Sequence, residues 1–192
     1  NGRARGGPEG AERMIVFELL YLALPAFVAN MMPVFARRLR ILSSLAVPMD
    51  GGRTLRGKRI LGGSKTWRGL IVAVFGSVAV VIAQFYVSVP LTIETAVYDS
   101  LPVAVAYGVF VGVLVVTGDS VGSFIKRQCS IESGKPCIPL DQVDYITLFV
   151  IGTLPLIAWG VVTAVALILI TFFLNLGANA LAYATGIKNT YW

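Results

Sequence analysis

The 192-residue sequence contains no histidine, only two cysteines, and only 14% charged residues. The absence of histidine excludes Ser-His and Cys-His nucleophilic sites and the metal sites that depend on imidazole. Cys129 and Cys137 form no C-x-x-C pair, so a zinc site is not expected. They leave two alternatives open, a small disulfide ring or two free thiols in a reducing cytosol, and we favour the free thiols.

Charged residues are missing altogether from long stretches of the chain. A soluble domain averages about a quarter charged residues, so this low charge with 56% hydrophobic residues predicts a protein whose solvent is the bilayer. The run 145–187 has no charged residue and would form a helix of about 64 Å, roughly twice the thickness of a hydrocarbon core. It therefore predicts two spans with a reversal near 155–160.

We predict an all-α fold, a polytopic integral membrane bundle of about five transmembrane helices in a single membrane domain, 14–192. The predicted spans are 15–35, 70–89, 102–121, 143–157 and 160–186. They leave two long polar loops, 36–68 and 122–142. They also leave a Gly- and Arg-rich segment, 1–13, which we interpret as disordered or as an added tail.

The basic residues are concentrated in the first polar loop. Nine of the sixteen Lys and Arg lie between Arg37 and Arg68, opposed there only by Asp50. Such an asymmetry marks the cytoplasmic side of a membrane protein, and it accounts for the net charge of +6 without a nucleic-acid partner. Five spans then place the N-terminus outside and both polar loops on the cytoplasmic face of the cell membrane. The link 90–101, with Glu94 and Asp99, lies on the other face.

Three of the ten acidic residues stand at the edges of apolar runs within the segment 119–144. They are Asp119, Asp141 and Asp144. Carboxylates in such places are costly and usually mark a functional site. Asp141 and Asp144 follow Pro139, a position that suits the first turn of a new helix. Two helix ends therefore offer carboxylates to one shared space, and carboxylate oxygens are ligands that suit Mg²⁺.

Basic residues accompany these carboxylates. If 117–127 is helical, Asp119, Ser123 and Lys126 fall on one face, and Arg127 lies beside them. Mg²⁺ with nearby Lys and Arg suits a polyphosphate ligand.

The first loop is rich in glycine between 48 and 69, where it reads PMDGGRTLRGKRILGGSKTWRG. Glycines let backbone N–H groups crowd an anion, and basic residues supply the countercharge. A P-loop is not expected, because the G-x-x-x-x-G from Gly57 to Gly62 is followed by Gly63 where Lys is required. Two interpretations, phosphate contacts or contacts with lipid headgroups, remain open for Arg53, Arg56, Lys58 and Arg59.

Two other classes fit less well. CDP-alcohol phosphotransferases carry D-G-x-x-A-R followed by G-x-x-x-D-x-x-x-D, whereas here Asp50-Gly51 is followed by Gly52-Arg53 and the later carboxylates are widely spaced. A small anion transporter is an alternative without catalysis. Transporters place charged sites near the midplane between inverted repeats, but here the charges cluster at one face.

The combined motifs resemble those of the CTP-dependent phosphatidate cytidylyltransferases. The matching elements are GD at 118–119, S-x-x-K-R at 123–127, P-x-D-Q-x-D at 139–144 and KTWRG at 65–69. The glycine-rich loop resembles the first loop of the archaeal branch, the CDP-archaeol synthases. Departures from the bacterial pattern also favour that branch, because Gln142 replaces an Arg and the Lys-Asp pair after K-R is missing.

The resemblance implies a Mg²⁺-dependent transfer of CMP from CTP to 2,3-bis-O-(geranylgeranyl)-sn-glycerol 1-phosphate, an isoprenoid ether lipid phosphate in the bilayer, with release of pyrophosphate. An ester phosphatidic acid is the alternative substrate.

It also implies a set of site residues. Asp119, Asp141 and Asp144 would hold the metal, and Lys126 would act with them in catalysis. The expected contacts to CTP and its phosphates are Asp50, Gly62, Gly63, Ser64, Lys65, Thr66, Arg68, Ser123, Lys126, Arg127 and Gln142.

Overall fold

The computed structural model describes residues 8–87, 89, 91, 93, 95, 97–133 and 135–184. They form five α-helices: α1 Pro8–Arg38, α2 Trp67–Val87, α3 Leu101–Gln128, α4 Leu140–Thr153 and α5 Val161–Ala184. The first loop holds a 3₁₀ turn at Ser43–Leu45 and an antiparallel hairpin, β1 Thr54–Leu55 and β2 Lys58–Arg59. Four helices, α1 (from Ile15), α2, α3 and α5, are long and apolar enough to cross a membrane. The predicted all-α membrane bundle is confirmed.

Two helices extend beyond their predicted ends. Helix α1 already begins at Pro8, so part of the predicted tail is helical. Proline suits a first turn because its missing N–H would have no partner there. Residues 1–7 lie outside the described residues. Helix α3 continues beyond 121 to Gln128, and its last turn carries Lys126 and Arg127, which complement the helix dipole.

Helix α4 is shorter than its predicted span, 143–157. Its 14 residues measure about 21 Å, less than a hydrocarbon core of about 30 Å. The chain after α4 nevertheless reaches the α2–α3 link, because Ile157 forms a β-bridge with Thr95 there. The chain reverses over 154–160, where Trp159 Nε1 donates to Thr153 Oγ1 at 2.9 Å.

Helix α3 packs against both α2 and α4 through glycines. A Cβ added to Gly112 would lie 2.6 Å from Val74 Cα on α2, and one added to Gly118 would lie 2.7 Å from Tyr145 Cα on α4. Helices in lipid associate at small residues because only these let two backbones approach so closely. These contacts therefore fix α3 as the helix on which α2 and α4 are placed.

Polar side chains also join the helices. Asn175 of α5 donates from Nδ2 to the Gln142 carbonyl oxygen at 2.8 Å and to the Tyr145 hydroxyl at 3.3 Å, both on α4. Asn30 of α1 lies near the same tyrosine. Three helices thus converge on Tyr145.

The helix order places both polar loops at one end of the bundle, which we call the loop end. It contains the C-termini of α1 and α3 and the N-termini of α2 and α4. The α2–α3 link lies at the opposite end, where the Ile93 N–H donates to the buried Glu18 carboxylate at 3.1 Å. Glu94 of the predicted outer link lies outside the described residues.

This arrangement predicts opposite labelling of the two ends. In a variant with serine at both native cysteine positions, a cysteine at 53 should react with an impermeant maleimide only from the cytoplasmic face of sealed vesicles. A cysteine at 99, which is exposed in the α2–α3 link, should react only from the other face. Equal labelling of both positions from one side would contradict the topology.

Candidate active site

The first loop has its own closed architecture. Its two ends run antiparallel, with the Met49 N–H donating to the Lys65 carbonyl at 2.8 Å and the Trp67 N–H to the Val47 carbonyl at 3.1 Å. The Thr66 hydroxyl accepts the Gly69 N–H at 3.2 Å and so caps the start of α2. Lys65 is therefore held at the junction between the loop and a transmembrane helix.

Asp50 lies at the centre of this loop, with a side chain only 1% exposed. Its Oδ1 accepts the Gly52 N–H at 3.0 Å and Arg59 Nη2 at 2.8 Å, and its Oδ2 accepts the Leu61 and Gly62 N–H groups at 3.0 and 3.1 Å. Burial alone would raise the pKa of Asp50, but the Arg59 guanidinium and the three N–H groups hold that pKa well below its usual value.

The predicted contact between Asp50 and the nucleotide stays a prediction, and the geometry shows a second role for this carboxylate within the loop. Both oxygens of the carboxylate accept hydrogen bonds from the loop itself, so few of their lone pairs remain for another partner. Asp50 organises the loop from inside.

Helices α3 and α4 bring the predicted carboxylates towards one another. Gly122 of α3 faces Asp144 of α4 so closely that an added Cβ would lie 2.2 Å from Asp144 Oδ2. Asp119 stands one residue after the close contact at Gly118. Asp144 lies within electrostatic reach of Asp119, Asp141 and Lys65. The shared space predicted from sequence is therefore present between these two helix ends.

Two of the three carboxylates are paired with lysines. Lys65 Nζ lies 2.5 Å from Asp119 Oδ1, which joins the first loop to α3. Lys126 Nζ lies 2.8 Å from both oxygens of Asp141, and the Cys137 N–H donates to the same carboxylate at 2.9 Å. Within the described ranges, no three acidic or thiol side chains stand together as a group that could hold a metal. The ligation of one ion by all three carboxylates remains a prediction.

The two polar loops also contact each other. Lys58 Nζ of the hairpin donates to the Gln128 carbonyl oxygen, at the last residue of α3. Gly62 lies against Ser133 of the second loop, since an added Cβ would be 3.3 Å from Ser133 Oγ and 4.0 Å from Arg127 Cδ. Gly62 has φ +88°, which glycine adopts without strain. The hairpin and the second loop thus enclose the same end of α3.

The remaining predicted residues divide by exposure. Gly63 and Ser64 are exposed, and Lys65, Thr66, Arg68 and Ser123 are half-buried. Arg127 and Gln142 are buried. Four buried polar atoms near the loop end find no hydrogen-bond partner in the described part of the chain: Ser120 Oγ, Arg127 Nε, Gln128 Nε2 and Gln142 Oε1. Unpaired buried groups are costly, so these four atoms are candidates for hydrogen bonds to water or to a ligand.

Two features of the site were missed from sequence. The G-x-x-x-G of Gly118 and Gly122 is a visible signal for close helix packing, and it sets the distance between α3 and α4. The enclosure of Asp50 had no local signal, because its partners lie up to 12 residues away in the loop. Cys129 is exposed and Cys137 is half-buried, and the structure has both as free cysteines.

The close packing at Gly122 predicts a pronounced effect of a single methyl group. Gly122→Ala would force the Asp144 side chain to move, and overpacking of this kind costs about 1–3 kcal/mol. We expect a melting temperature in detergent that is lower by several degrees. Gly177→Ala is the matched control, because nothing lies within 4 Å of its added Cβ and alanine is the better helix former. Equal melting temperatures would contradict the close contact.

Comparisons with known proteins agree with the motifs. A family model described as CarS-like, CDP-archaeol synthase, matches residues 13–192. The CDP-archaeol synthase of Thermococcus kodakarensis is 34% identical over 92% of this chain and 96% of its own length. The CDP-archaeol synthase of Methanocaldococcus jannaschii is 33% identical over 93% of this chain and 98% of its own length.

A solved structure agrees as well. It is described as an intramembrane enzyme for archaeal membrane lipids biosynthesis, and it shares 28% sequence identity with a TM-score of 0.69. The match covers 85% of this chain and 94% of that chain. The resemblance drawn from sequence is confirmed, and the chain belongs to the CDP-archaeol synthase family.

Proposed function

We propose that this chain transfers CMP from CTP to 2,3-bis-O-(geranylgeranyl)-sn-glycerol 1-phosphate, giving the CDP-activated ether lipid and pyrophosphate. Family membership supports the reaction. The observation that carries it to this site is the alternation of lysines and carboxylates at the loop end, Lys65 with Asp119 and Lys126 with Asp141. A reaction between two anions needs such a balanced arrangement of charge at the membrane edge.

The bond changes require little from the protein beyond charge and position. An oxygen of the lipid phosphate attacks the α-phosphorus of CTP and forms a new P–O bond. The bond from that phosphorus to the oxygen bridging to the β-phosphorus breaks, and its electron pair leaves with pyrophosphate. The attacking phosphate monoester is already mostly dianionic near neutral pH, since its second pKa is about 6. No general base is required, which fits a chain with no histidine.

The basic residues of the site hold the triphosphate in this proposal. Lys65 and Lys126 compensate the negative charge of the triphosphate. Both are in position to do so, because each lies beside a carboxylate of the shared space. Gly63 and Ser64, exposed just before Lys65, offer backbone and hydroxyl donors to phosphate oxygens. Arg127 contributes a buried guanidinium whose Nε lacks a partner among the described residues.

The donor set fits a hard divalent cation such as Mg²⁺. Asp119 and Asp141 are the accessible ligands, with side chains 39% and 30% exposed, and both offer carboxylate oxygens. Asp144 packs against Gly122 and supports them, or ligates from the buried side. When bound, Mg²⁺ neutralises charge on the triphosphate and on the departing pyrophosphate.

The position of the site suits a lipid substrate. The loop end adjoins four helices that can cross a membrane, so the isoprenoid chains can stay in the bilayer while the headgroup enters. We place the loop end on the cytoplasmic face, where CTP is found, and the N-terminus outside.

Incorporation of radiolabelled CTP tests the function directly. The purified protein in lipid vesicles should transfer label from [α-³²P]CTP to the ether lipid phosphate only when Mg²⁺ is present. Lack of labelled lipid with both substrates and Mg²⁺ would refute the proposal, and equal use of an ester phosphatidic acid would refute the assignment of the ether lipid.

Asparagine variants test the carboxylates. Asp119→Asn and Asp141→Asn should each lower turnover by several hundredfold or more, because each removes a charged ligand from the triphosphate site. Asp144→Asn should have a smaller effect. Asp99→Asn at the opposite end is the matched control and should retain the parental rate. Near-normal turnover in the Asp119 or Asp141 variant would show that the carboxylate concerned is not a ligand.

Alanine variants separate nucleotide contacts from membrane contacts. Lys65→Ala and Lys126→Ala should weaken the binding of CTP·Mg²⁺ in detergent by about tenfold or more, since a charge-assisted contact is worth about 1.5–3 kcal/mol. Arg37→Ala and Arg38→Ala should leave that binding unchanged, because both arginines lie at the exposed end of α1. Calorimetric titration provides the measurement. Equal losses in all four variants would mean that the basic residues act only as a diffuse field.

A further inference from the structure

Among the described residues of the loop end, Asp50 has the carboxylate with the most hydrogen bonds. Asp50 accepts hydrogen bonds from three backbone N–H groups and from two nitrogens of Arg59. Glycine-rich loops commonly direct such N–H groups at a bound phosphate. Here the loop directs those of Gly52, Leu61 and Gly62 at its own carboxylate, so these three groups are not available to the nucleotide.

The bonds to Asp50 fix one end of a short segment that leads to Lys65. Leu61 and Gly62 are held by the carboxylate, and the Lys65 carbonyl oxygen is held by the Met49 N–H at 2.8 Å. Only Gly63 and Ser64 lie between these two fixed points. The segment therefore has little freedom, and its end determines where the Lys65 ammonium meets Asp119.

The same bonds set the contact between the two polar loops. Gly62 is the residue whose backbone lies against Ser133 and the Arg127 stem. A shift of Gly62 would change the space available to the buried Arg127 guanidinium as well as the direction of the chain towards Lys65. The bonds to Asp50 thus hold the backbone that leads to Lys65, a residue that Asp50 does not contact.

We propose that Asp50 is a positioning residue: it serves as an internal anion that folds the glycine-rich loop and thereby places Lys65 for the nucleotide triphosphate. The inference rests on the proposed function for the identity of the nucleotide. Its structural part, the control of the 61–65 segment by the Asp50 carboxylate, is independent of any substrate.

Amide hydrogen exchange in the nucleotide-free protein tests the structural part. Asp50→Asn keeps the shape of the side chain but replaces one acceptor oxygen with a donor, so at least one bonded N–H loses its partner. We expect peptides covering 60–66 to exchange at least about tenfold faster than in the parent protein. Glu132→Gln is the matched control, an exposed acid of the second loop with the same change of charge, and should leave these peptides protected. Unchanged exchange in Asp50→Asn would overturn the proposal.

A double-mutant cycle tests the action through Lys65. Asp50→Asn and Lys65→Ala should each weaken CTP·Mg²⁺ binding about tenfold, and Asp50→Asn should change the KM for the lipid phosphate by less than about twofold. If Asp50 acts through Lys65, the double variant should bind only about tenfold more weakly than the parent protein. Independent effects would multiply to about a hundredfold, and that result would overturn the proposal.

The parent protein separates this inference from the proposed function. Failure of the parent to bind CTP would refute the function, while faster exchange of 60–66 in Asp50→Asn would still support the structural part. If Asp50→Asn cannot be extracted in folded form, Arg59→Ala takes its place. It removes the guanidinium bonds and leaves the three N–H bonds, so it should accelerate exchange of the same peptides by a smaller factor. Parental exchange in Arg59→Ala would then overturn the proposal.

Discussion

The close approach of α3 and α4 is the constraint on which the site depends. Lipid provides no hydrophobic force between helices, so their distance is set by how nearly their backbones can touch. Gly118 and Gly122 let α4 lie directly against α3 over one helical turn. Because Asp119 follows the first glycine and Asp144 packs on the second, carboxylates from two helices face one space. A larger residue at either glycine would separate them.

The charges gathered in that space are tolerated because they are compensated within it. Ionised groups at a membrane edge are expensive unless they are paired. Lys65 neutralises Asp119, and Lys126 neutralises Asp141. In each pair the lysine and the carboxylate come from different elements of the chain. The pairing by Lys65 also fastens the first loop to α3. The Lys65–Asp119 ion pair therefore both compensates a charge at the membrane edge and joins the loop to the helix bundle.

The sequence predicted the presence of the helices, because the length and hydropathy of a segment are local properties. Helical periodicity alone also placed Asp119, Ser123 and Lys126 on one face of α3. The predicted helix ends were less accurate: α3 continues beyond 121 to Gln128, whose carbonyl oxygen accepts a hydrogen bond from Lys58 of the distant first loop. The role of Asp50 could not be inferred. A buried carboxylate and an exposed phosphate-site carboxylate look alike in sequence, and only the folded loop shows which donors surround it.

The need for an acid inside the basic loop follows from the charge of the loop itself. The segment 37–68 contains nine Lys and Arg and a single acidic residue, Asp50. Without Asp50 the glycine-rich loop would be flexible, and its basic side chains would repel one another. A bound triphosphate could compensate those charges, but only after it had ordered the loop, and that ordering would weaken binding. A carboxylate built into the loop orders it beforehand. The exposed Gly63 and Ser64 and the Lys65 side chain then remain available to the ligand. The free energy of binding is therefore not reduced by the cost of ordering the loop.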